Sequence, residues 1–344
     1  MGAPVISSTL TSSVIVCAFT KRRWPDLLAA MESLTCQTRA AEEIVVVVDH
    51  NADLLARARA ELPMARVVAN RYAAGLSGAR NTGVRAAHGD VLAFMDDDAL
   101  ADPDWLRALL AGYAEPDVIA VGGVVLPRWE RGRPQGFPEE FDWVVGCSYR
   151  GMPTSRTAVR NLIGANMSFR REVFDAVGGF ADGIGRVGVR PAGCEETELC
   201  IRARAALPGA VILYDPVARV SHRVPAARAS WRYFGARCFR EGVSKAQVTQ
   251  RAGLSSGLSS ERTHATRVIP RGIACAAGAA LRGDAGALVR AAALLAGLWV
   301  TTLGFIVGRA RCAAGGRPAA GARLGPDAGE PVTPARLVVM GPTS

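Results

Sequence analysis

The chain has 344 residues, a formal net charge of +10, 49% hydrophobic residues and 21% charged residues. These fractions are those of a globular protein, so they exclude a chain that is disordered throughout. The eight cysteines are scattered and include no Cys-x-x-Cys pair, which argues against a disulfide scaffold, a structural zinc site and thioredoxin-like chemistry. A reducing cytosol is the compartment that this cysteine usage favours.

The basic excess is mostly arginine, which makes anionic lipid surfaces, phosphorylated small molecules and nucleic acids candidate partners. No dense Lys/Arg run interleaved with aromatic residues is present, so we expect no nucleic-acid partner. The first residues, MGAPVISSTLTSS, lack the basic segment of a secretory signal, so we expect no such signal here.

Strands and helices alternate over the first 125 residues. Short apolar runs predict strands at 14–19, 44–48, 66–69, 91–95 and 118–125. Helices are predicted between them, at about 24–37, 53–61, 77–87 and 102–113. This alternation predicts an α/β fold with a mostly parallel central sheet and helices on both faces.

The pattern is less regular up to about residue 244. Several prolines and arginines over 126–160 predict an excursion over the sheet or a lid. The elements predicted beyond it are a strand, turn and helix over 164–180, a helix over 195–206, short strands at 211–213 and 218–221, and a helix at about 227–241.

An acidic triplet, Asp96-Asp97-Asp98, directly follows a predicted buried strand. It lies at the carboxyl end of the strand, where open α/β sheets bind their ligands. Three adjacent carboxylates repel one another and so require a nearby cation. A hard divalent ion meets this need and commonly also takes oxygens from a diphosphate. The triplet therefore indicates a metal site, and an acidic turn that caps the next helix is the alternative.

Two further features lie at predicted strand ends. Asp49 ends the second strand, where its carboxylate either accepts hydrogen bonds from a base or ribose or is an ordinary loop residue. The loop 70–83 (NRYAAGLSGARNTG) places Arg80 one turn inside a helix, where a side chain can face an anion near the helix start. This loop matches neither a Walker P-loop nor the Gly-x-Gly-x-x-Gly fingerprint.

Glu195 and Glu196 begin a predicted helix and are candidate general bases. A general base needs a carboxylate held in a cleft, and the glycine-rich stretch 183–193 precedes them. The alternative is the ordinary preference for acidic residues at a helix N-terminus. His222 follows a late predicted strand, where it either completes a metal site or lies on the surface.

In this order and spacing, these features resemble the family 2 glycosyltransferases, which have the GT-A fold. The resemblance covers about residues 13–240. It rests on the strand ending in Asp49, the Asn-x-x-x-x-Gly-x-x-x-Ala-Arg-Asn-x-Gly loop, the strand with the acidic triplet, the GANMSFRR segment and the Glu-Glu-x-Glu-Leu-x-x-Arg helix. It implies an inverting, nucleotide-sugar-dependent enzyme of the bacterial type that has a C-terminal hydrophobic segment.

The resemblance also implies a role for each site residue. The nucleotide sugar, with UDP or dTDP as its nucleotide, would contact Ala18, Phe19, Thr20, Asp49, Arg80, Asp96 and Asp97. Mg²⁺ or Mn²⁺ would be bound by Asp98, Asp96 and His222, and the acceptor by Gly164, Ala165 and Asn166. Glu196, or Glu195 beside it, would take the proton of the acceptor hydroxyl while the metal stabilises the diphosphate leaving group.

Composition and the resemblance together divide the chain into six parts. We expect a flexible N-terminus over 1–12, a nucleotide-sugar-binding βα half over 13–125, an acceptor-binding and catalytic half over 126–244, a linker over 245–267, a hydrophobic helical segment over 268–311 and a disordered tail over 312–344.

Residues 291–308 carry no charge and are about as long as the shortest membrane span. Arg309 and Arg311 follow, which opposes a span from a cytosolic domain because the span would carry both arginines outward. An interfacial helix, or one buried against a partner, is the competing interpretation. We expect a cytoplasmic enzyme, peripheral to or anchored at the inner face of the cell membrane, with a sugar, lipid-linked or polysaccharide acceptor of the cell envelope.

Two other functions fit parts of the pattern. A nucleotidyltransferase would also use closely spaced metal-binding aspartates, but it would more often have a glycine-rich loop where this chain has Thr20-Lys21-Arg22-Arg23. A non-catalytic nucleotide-sugar-binding membrane scaffold would keep the fold but lose the acidic residues, which are intact here.

Overall fold

The computed structural model describes residues 10–181, 184–186, 193–253 and 258–314. The expectations of a flexible N-terminus and of a disordered tail fall on residues that lie outside these ranges, except for 10–12 and 312–314. Residues 312–314 belong to the last helix rather than to the tail.

One nine-stranded sheet organises the chain. Its strands are β1 (Ser12–Ala18), β2 (Glu43–Val48), β3 (Arg66–Ala69), β4 (Val91–Asp96), β5 (Ala99–Ala101), β6 (Val118–Trp129), β7 (Thr157–Ala158), β8 (Asn166–Arg170) and β9 (Val211–Val224). Their order is β3-β2-β1-β4-β8-β6-β9-β5, and β7 pairs with β9. The α/β fold is confirmed.

The sheet is parallel across β3, β2, β1 and β4, as predicted for the first half. Beyond β4 it becomes mixed, because β8 runs antiparallel to both of its neighbours, β4 and β6. Strand β9 then runs parallel to β6, with a register shift between Gly122 and Val124 that lets one long strand replace the two short ones that the sequence predicts.

Helices cover the sheet and extend past it. They are α1 (Trp24–Thr35), α2 (Ala52–Glu61), α3 (Leu76–Ala86), α4 (Trp105–Ala111), α5 (Arg171–Val177), α6 (Glu195–Ala206), α7 (Trp231–Ala252), α8 (Ser259–Thr263), α9 (Ile269–Leu281) and α10 (Ala285–Ala314). The helices expected over the first 125 residues are all present within a few residues of their predicted ends. A 3-10 helix at Glu139–Val145 lies within the irregular region that follows β6.

The segment 245–267, expected to be a linker, differs from that expectation. Helix α7 continues to Ala252, and α8 leads into a π-helical turn at His264–Val268. Buried ion pairs explain the difference. Lys245 and Arg160 both bind the Glu261 carboxylate, at 2.7 and 2.6 Å, and so fasten the segment to the catalytic half.

Apolar side chains fill both faces of the sheet. On β1, Val14 and Val16 pack into one core while Ile15 packs into the other, as the alternation of a strand between two covered faces requires. With both faces covered, polar groups converge at the carboxyl ends of the parallel strands.

Candidate functional site

Three metal-ligating side chains meet at the carboxyl end of β4. Asp96 is the last residue of that strand, and Asp98 follows in the turn to β5. Strand β5 pairs with β9 and sets Ala99 opposite His222, which brings the imidazole to the aspartates. The Nε2 atom of His222 lies 3.1 Å from Oδ1 of Asp98 and 3.9 Å from Oδ2 of Asp96. One ligand atom from each residue falls within 4.8 Å of the others.

This triad has the chemistry of a divalent-metal site. Two carboxylates and one imidazole suit a transition-metal ion such as Mn²⁺, whereas Mg²⁺ prefers oxygen ligands alone. Oδ1 of Asp98 is buried and has no hydrogen-bond partner of good geometry within the described residues. A buried carboxylate oxygen without a partner is costly, so a bound cation would satisfy it.

Arginines surround Asp98. Its Oδ2 atom lies 3.1 Å from Arg23 and 4.0 Å from Arg228. Burial alone would raise the pKa of Asp98, but the facing His222, Arg23 and Arg228 hold that pKa well below its usual range. Asp98 therefore stays ionised and able to bind a cation at any physiological pH.

Asp97 is in a different position from its two neighbours. It is buried and pairs with Arg23 at 2.8 Å. Burial, followed by the charge of Asp98, raises the pKa of Asp97 to about 7. Asp97 therefore holds Arg23 beside the metal triad, while Asp96 and Asp98 are the aspartates that face His222.

An open cleft of about 470 Å³ lies beside the triad. Its lining residues come from the strand ends, the loop before α3 and the segment before α6: Cys17, Ala18, Phe19, Arg23, Asp49, Gly75, Leu76, Ala79, Asp96, Asp97 and Arg186. Among the residues predicted to contact the nucleotide sugar, Ala18, Phe19, Asp49, Asp96 and Asp97 line this cleft. Thr20 lies just past it, where its hydroxyl caps the short 3-10 turn that carries Arg23.

Asp49 fixes the loop before α3. Its Oδ2 accepts a hydrogen bond from the Gly75 backbone N–H at 2.9 Å, and its Oδ1 accepts one from Asn70 at 2.6 Å. Gly75 has φ +131°, a conformation that favours glycine. The side chain of Asp49 is 12% exposed, so it can still reach a ligand from the cleft edge.

Arg80 does not take the position that the sequence predicted for it. Its side chain is buried and donates to Glu195 at 2.8 Å and to the Gly164 carbonyl at 3.0 Å. It lies 3.6 Å from Asp96. Arg80 therefore stands behind the acidic residues and links them, rather than projecting into the cleft toward an anion.

Glu195 and Glu196 occupy different environments at the start of α6. Glu195 is buried and bound to Arg80. Glu196 is half-buried, and its carboxylate accepts a hydrogen bond from the Thr197 hydroxyl at 3.5 Å. Burial, followed by the charge of Glu195, raises the pKa of Glu196 to about 8. A carboxylate that has a raised pKa and, among the described residues, no cation within hydrogen-bond distance has the properties of a general base.

The three residues expected to bind the acceptor are not among those that line the cleft. Ala165 and Asn166 are buried, and the Gly164 carbonyl accepts from Arg80. Asn166 accepts from Trp105 at 2.8 Å and donates to two backbone carbonyls at 2.9 Å each. Because its amide is fully bonded inside the sheet, Asn166 holds strands together, and its assignment to the acceptor is corrected.

Sequence analysis missed three arginines at the site. Arg23 pairs with Asp97 and Asp98, Arg228 lies against Asp98, and Arg186 lines the cleft. Nη1 of Arg228 is buried and has no hydrogen-bond partner within the described part of the chain. Burial, followed by the charge of Arg228, lowers the pKa of Arg186. Arg186 and Arg228 therefore repel each other, and a bound anion would offset that repulsion.

Comparisons with known proteins agree with this geometry. The sequence profile described as "Glycosyl transferase family 2" matches residues 13–178. A "Glucosyl-dolichyl phosphate glucuronosyltransferase" of Haloferax volcanii is 37% identical over 237 residues, which are 68% of this chain and 75% of that protein. The "Succinoglycan biosynthesis protein ExoM" of Rhizobium meliloti is 27% identical over 256 residues, which are 70% of this chain and 76% of that protein.

A solved structure has the same fold. The mannosyltransferase PcManGT from Pyrobaculum calidifontis, in complex with GDP-Man and Mn²⁺, superposes with a TM-score of 0.55 at 21% identity. The superposition covers 90% of this chain and 88% of that protein. The curled, mixed sheet with its surrounding helices is therefore the architecture of a GT-A protein.

Proposed function

The chain belongs to glycosyl transferase family 2 and is a glycosyltransferase, and on that premise we propose which substrates and residues it uses. The reaction proposed is transfer of a sugar from a nucleoside-diphosphate sugar to a hydroxyl of a lipid-linked saccharide, with inversion at the anomeric carbon. Membership of this family supports neither alternative function, the non-catalytic scaffold or the nucleotidyltransferase.

The observation that carries the proposal is the convergence of Asp96, Asp98 and His222 beside a cleft lined with arginines. The triad would hold Mn²⁺ or Mg²⁺, which supplies Lewis-acid stabilisation of the diphosphate leaving group. The nucleotide would occupy the cleft between Phe19 and Asp49, and we favour uracil or thymine as its base.

Arg186 and Arg228 would contact the diphosphate. Both are cations that lack a carboxylate partner closer than 4.0 Å among the described residues, and both lie at the triad. Negative charge builds on the β-phosphate oxygen as the glycosidic bond breaks, and preorganised guanidiniums stabilise it where water is excluded.

Glu196 would remove the proton from the acceptor hydroxyl. Glu195 is neutralised by Arg80, whereas Glu196 keeps a raised pKa and partial access to solvent. The hydroxyl oxygen attacks the anomeric carbon from the side opposite the diphosphate, so no covalent enzyme intermediate is needed and the configuration inverts.

The acceptor and the location follow from similarity and from the C-terminal helix. The relative that is 37% identical is named for transfer to glucosyl-dolichyl phosphate, which supports a saccharide carried on a lipid phosphate. One helix, Ala285–Ala314, is by length and composition apolar enough to cross a membrane. We infer an enzyme that works at the inner face of the cell membrane.

The test is nucleotide-sugar binding by thermal shift, with UDP, dTDP and GDP donors that include hexoses and hexuronic acids, each with and without Mn²⁺. A ligand that binds the folded state raises the melting temperature by an amount that grows with its concentration relative to Kd. We expect a shift with one donor that requires metal and that Asp98→Asn removes. Asp117→Asn is the matched control, because Asp117 is exposed and lies beside Val211, at the opposite end of β9 from His222.

Product analysis completes the test. Incubation with a lipid-linked saccharide should release the nucleoside diphosphate, and NMR of the new linkage should show the anomeric configuration opposite to that of the donor. Retained configuration would contradict the direct displacement by the acceptor. Metal-independent binding of every donor, unchanged in Asp98→Asn, would contradict the assignment of the triad.

A further inference from the structure

The C-terminal helix α10 is 30 residues long, and its length and composition would allow it to cross a membrane. Its packing decides whether it does. Along one face lie its buried residues Ala287, Ala293, Leu294, Gly297, Gly304 and Gly308, which extend over about 32 Å of helix. That face is in contact with the rest of the protein from end to end.

The contact with α7 is at backbone distance. A Cβ at Gly304 would lie 2.0 Å from the carbonyl oxygen of Phe239, and one at Gly242 would lie 2.1 Å from that of Thr301. Gly297 lets α10 pass close to the rings of Phe141 and Phe234 in the same way. At its first turns, Arg290 of α10 donates to the buried Glu140 at 2.7 Å. The two helices therefore form one tightly packed pair.

Helix α7 cannot enter the hydrocarbon of a bilayer. Its 22 residues carry six charged side chains: Arg232, Arg237, Arg240, Glu241, Lys245 and Arg251. A charged side chain is strongly disfavoured at the centre of a bilayer. Because α10 packs against α7 from Gly297 to Gly308, a spanning α10 would have to carry this charged helix with it or lose that interface.

The opposite face of α10 is apolar and open. Leu288, Leu295, Trp299 and Ile306 are 64, 56, 69 and 59% exposed. Their spacing of seven, four and seven residues places them on one face of a helix. The row, which we call the α10 stripe, extends about 27 Å. An exposed apolar patch of this extent marks an interaction surface.

The charges at the ends of the stripe identify its occupant. Arg309 and Arg311 are exposed at one end and Arg282 at the other, in the turn before α10. From 282 to 311 the charged residues are four arginines and one acidic residue, Asp284, so the segment is net positive. The Thr302 hydroxyl beside the stripe is bonded to the Leu298 carbonyl, so it offers no donor to a protein partner. An apolar helix face flanked by arginines fits an anionic lipid surface.

We propose that the α10 stripe lies in the plane of an anionic membrane, with α10 parallel to the surface and the catalytic domain on one side. The stripe would enter the interface while Arg282, Arg309 and Arg311 bind lipid phosphates. This inference rests on the proposed function in one respect: a lipid-linked acceptor would be met at that surface. The α10 stripe itself is identified from the exposed and buried faces of α10 and does not depend on the proposed function.

The test is co-sedimentation of the purified full chain with vesicles of phosphatidylcholine and phosphatidylglycerol, compared with phosphatidylcholine alone. The variant is the triple substitution Leu295→Ser, Trp299→Ser and Ile306→Ser. The control is Leu28→Ser, Met64→Ser and Val217→Ser, which removes apolar residues of 40, 49 and 56% exposure elsewhere. We expect the first triple variant to bind the anionic vesicles at least tenfold more weakly and the control to bind as the parent does. Melting temperature and Mn²⁺-dependent nucleotide-sugar binding should be unchanged in both.

The mode of binding is tested by washing the vesicles with alkaline carbonate. Release of the protein supports an in-plane helix, whereas resistance to the wash would show a span and overturn the proposal. Lack of vesicle binding by the parent chain would overturn it too, as would a dimer in solution that the stripe substitutions dissociate. Vesicle binding without glycosyl transfer would instead contradict the proposed function and leave the stripe assignment supported.

Discussion

The two adjacent glutamates at the start of α6 offer the sharpest test of the mechanism. Glu195→Gln and Glu196→Gln are the same substitution, since each replaces one carboxylate with a neutral amide of the same shape. The structure predicts opposite consequences. Glu195 is bound to the buried Arg80, so its substitution should act on stability. Glu196 is half-buried and has no cation partner within hydrogen-bond reach among the described residues, so its substitution should act on turnover.

The magnitudes follow from the contacts. Breaking a buried ion pair by removing one partner costs about 3–5 kcal/mol, because the other charge is left uncompensated. In Glu195→Gln, Arg80 would still donate to the Gly164 carbonyl at 3.0 Å and lie 3.6 Å from Asp96. The expected loss of stability is therefore near the lower end of that range, at about 3 kcal/mol. Glu196→Gln should not lower stability at neutral pH and should raise it, because the raised pKa of Glu196 means that its carboxylate opposes folding there. Loss of a general base should lower kcat by about 10²- to 10⁴-fold.

The pH profile separates the two variants further. With the pKa of Glu196 at about 8, kcat/KM of the parent enzyme should rise with pH through that value as the base loses its proton. Glu195→Gln removes the negative charge that raises the pKa of Glu196, and it leaves the positive charge of Arg80 without its partner. Both changes lower the pKa of Glu196. The rising limb should therefore move to lower pH, and it should vanish in Glu196→Gln.

The assay is urea unfolding together with initial rates of nucleoside-diphosphate release between pH 6 and 9. If Glu195→Gln abolished turnover at unchanged stability while Glu196→Gln stayed active, Glu195 would be the base. The argument that Arg80 neutralises Glu195 would then be wrong. A rising limb that moved to higher pH in Glu195→Gln would refute the stated cause of the shift.

Three further substitutions test separate parts of the site and fold. Asp98→Asn should weaken Mn²⁺ binding, followed by calorimetry, at least tenfold, and metal affinity equal to the parent's would contradict the triad. Arg228→Met should lower kcat by roughly 10²-fold with little change in donor KM, since the guanidinium acts on charge that develops in the transition state; an effect on KM alone would place it in ground-state binding. Gly304→Leu should lower the free energy of unfolding, measured in urea, by about 2 kcal/mol or more, because the leucine side chain would clash with the Phe239 carbonyl. Leu295→Ser, on the open face of α10, should leave the free energy of unfolding nearly unchanged.

Local patterns predicted the first half of the fold well because each strand and helix there is specified by its own residues. The β-branched run at Ile44–Val48 forms a central strand, and the alternation with helices fixes a parallel order. The second half depends on pairings between distant segments. The antiparallel insertion of β8 between β4 and β6, and the continuity of β9, involve strands far apart in sequence that no local period encodes.

The same distinction applies to the site. Asp96 and Asp98 could be identified because they lie at the end of a buried strand, and His222 because it follows a short apolar run, although the structure places it inside β9. The arginines that contact these residues could not be identified from the sequence. Arg228 is one of many arginines in the chain, and only the return of the chain after β9 brings it to Asp98. Asn166 was misassigned for the converse reason, since a polar residue in a glycine-rich segment gives no sign that its amide is bonded inside the sheet.

Arginines balance the charge of this acidic cluster. Arg23 and Arg80 pair with Asp97 and Glu195, while His222, Arg23 and Arg228 hold the pKa of Asp98 well below its usual range. A carboxylate that is already ionised needs to release no proton when a divalent ion binds. On the proposed assignment, an ion held by Asp98 would share that carboxylate with Arg228, which lies 4.0 Å away, and would leave the guanidinium freer to bind a diphosphate. Donor binding and metal binding would then be coupled through the same carboxylate.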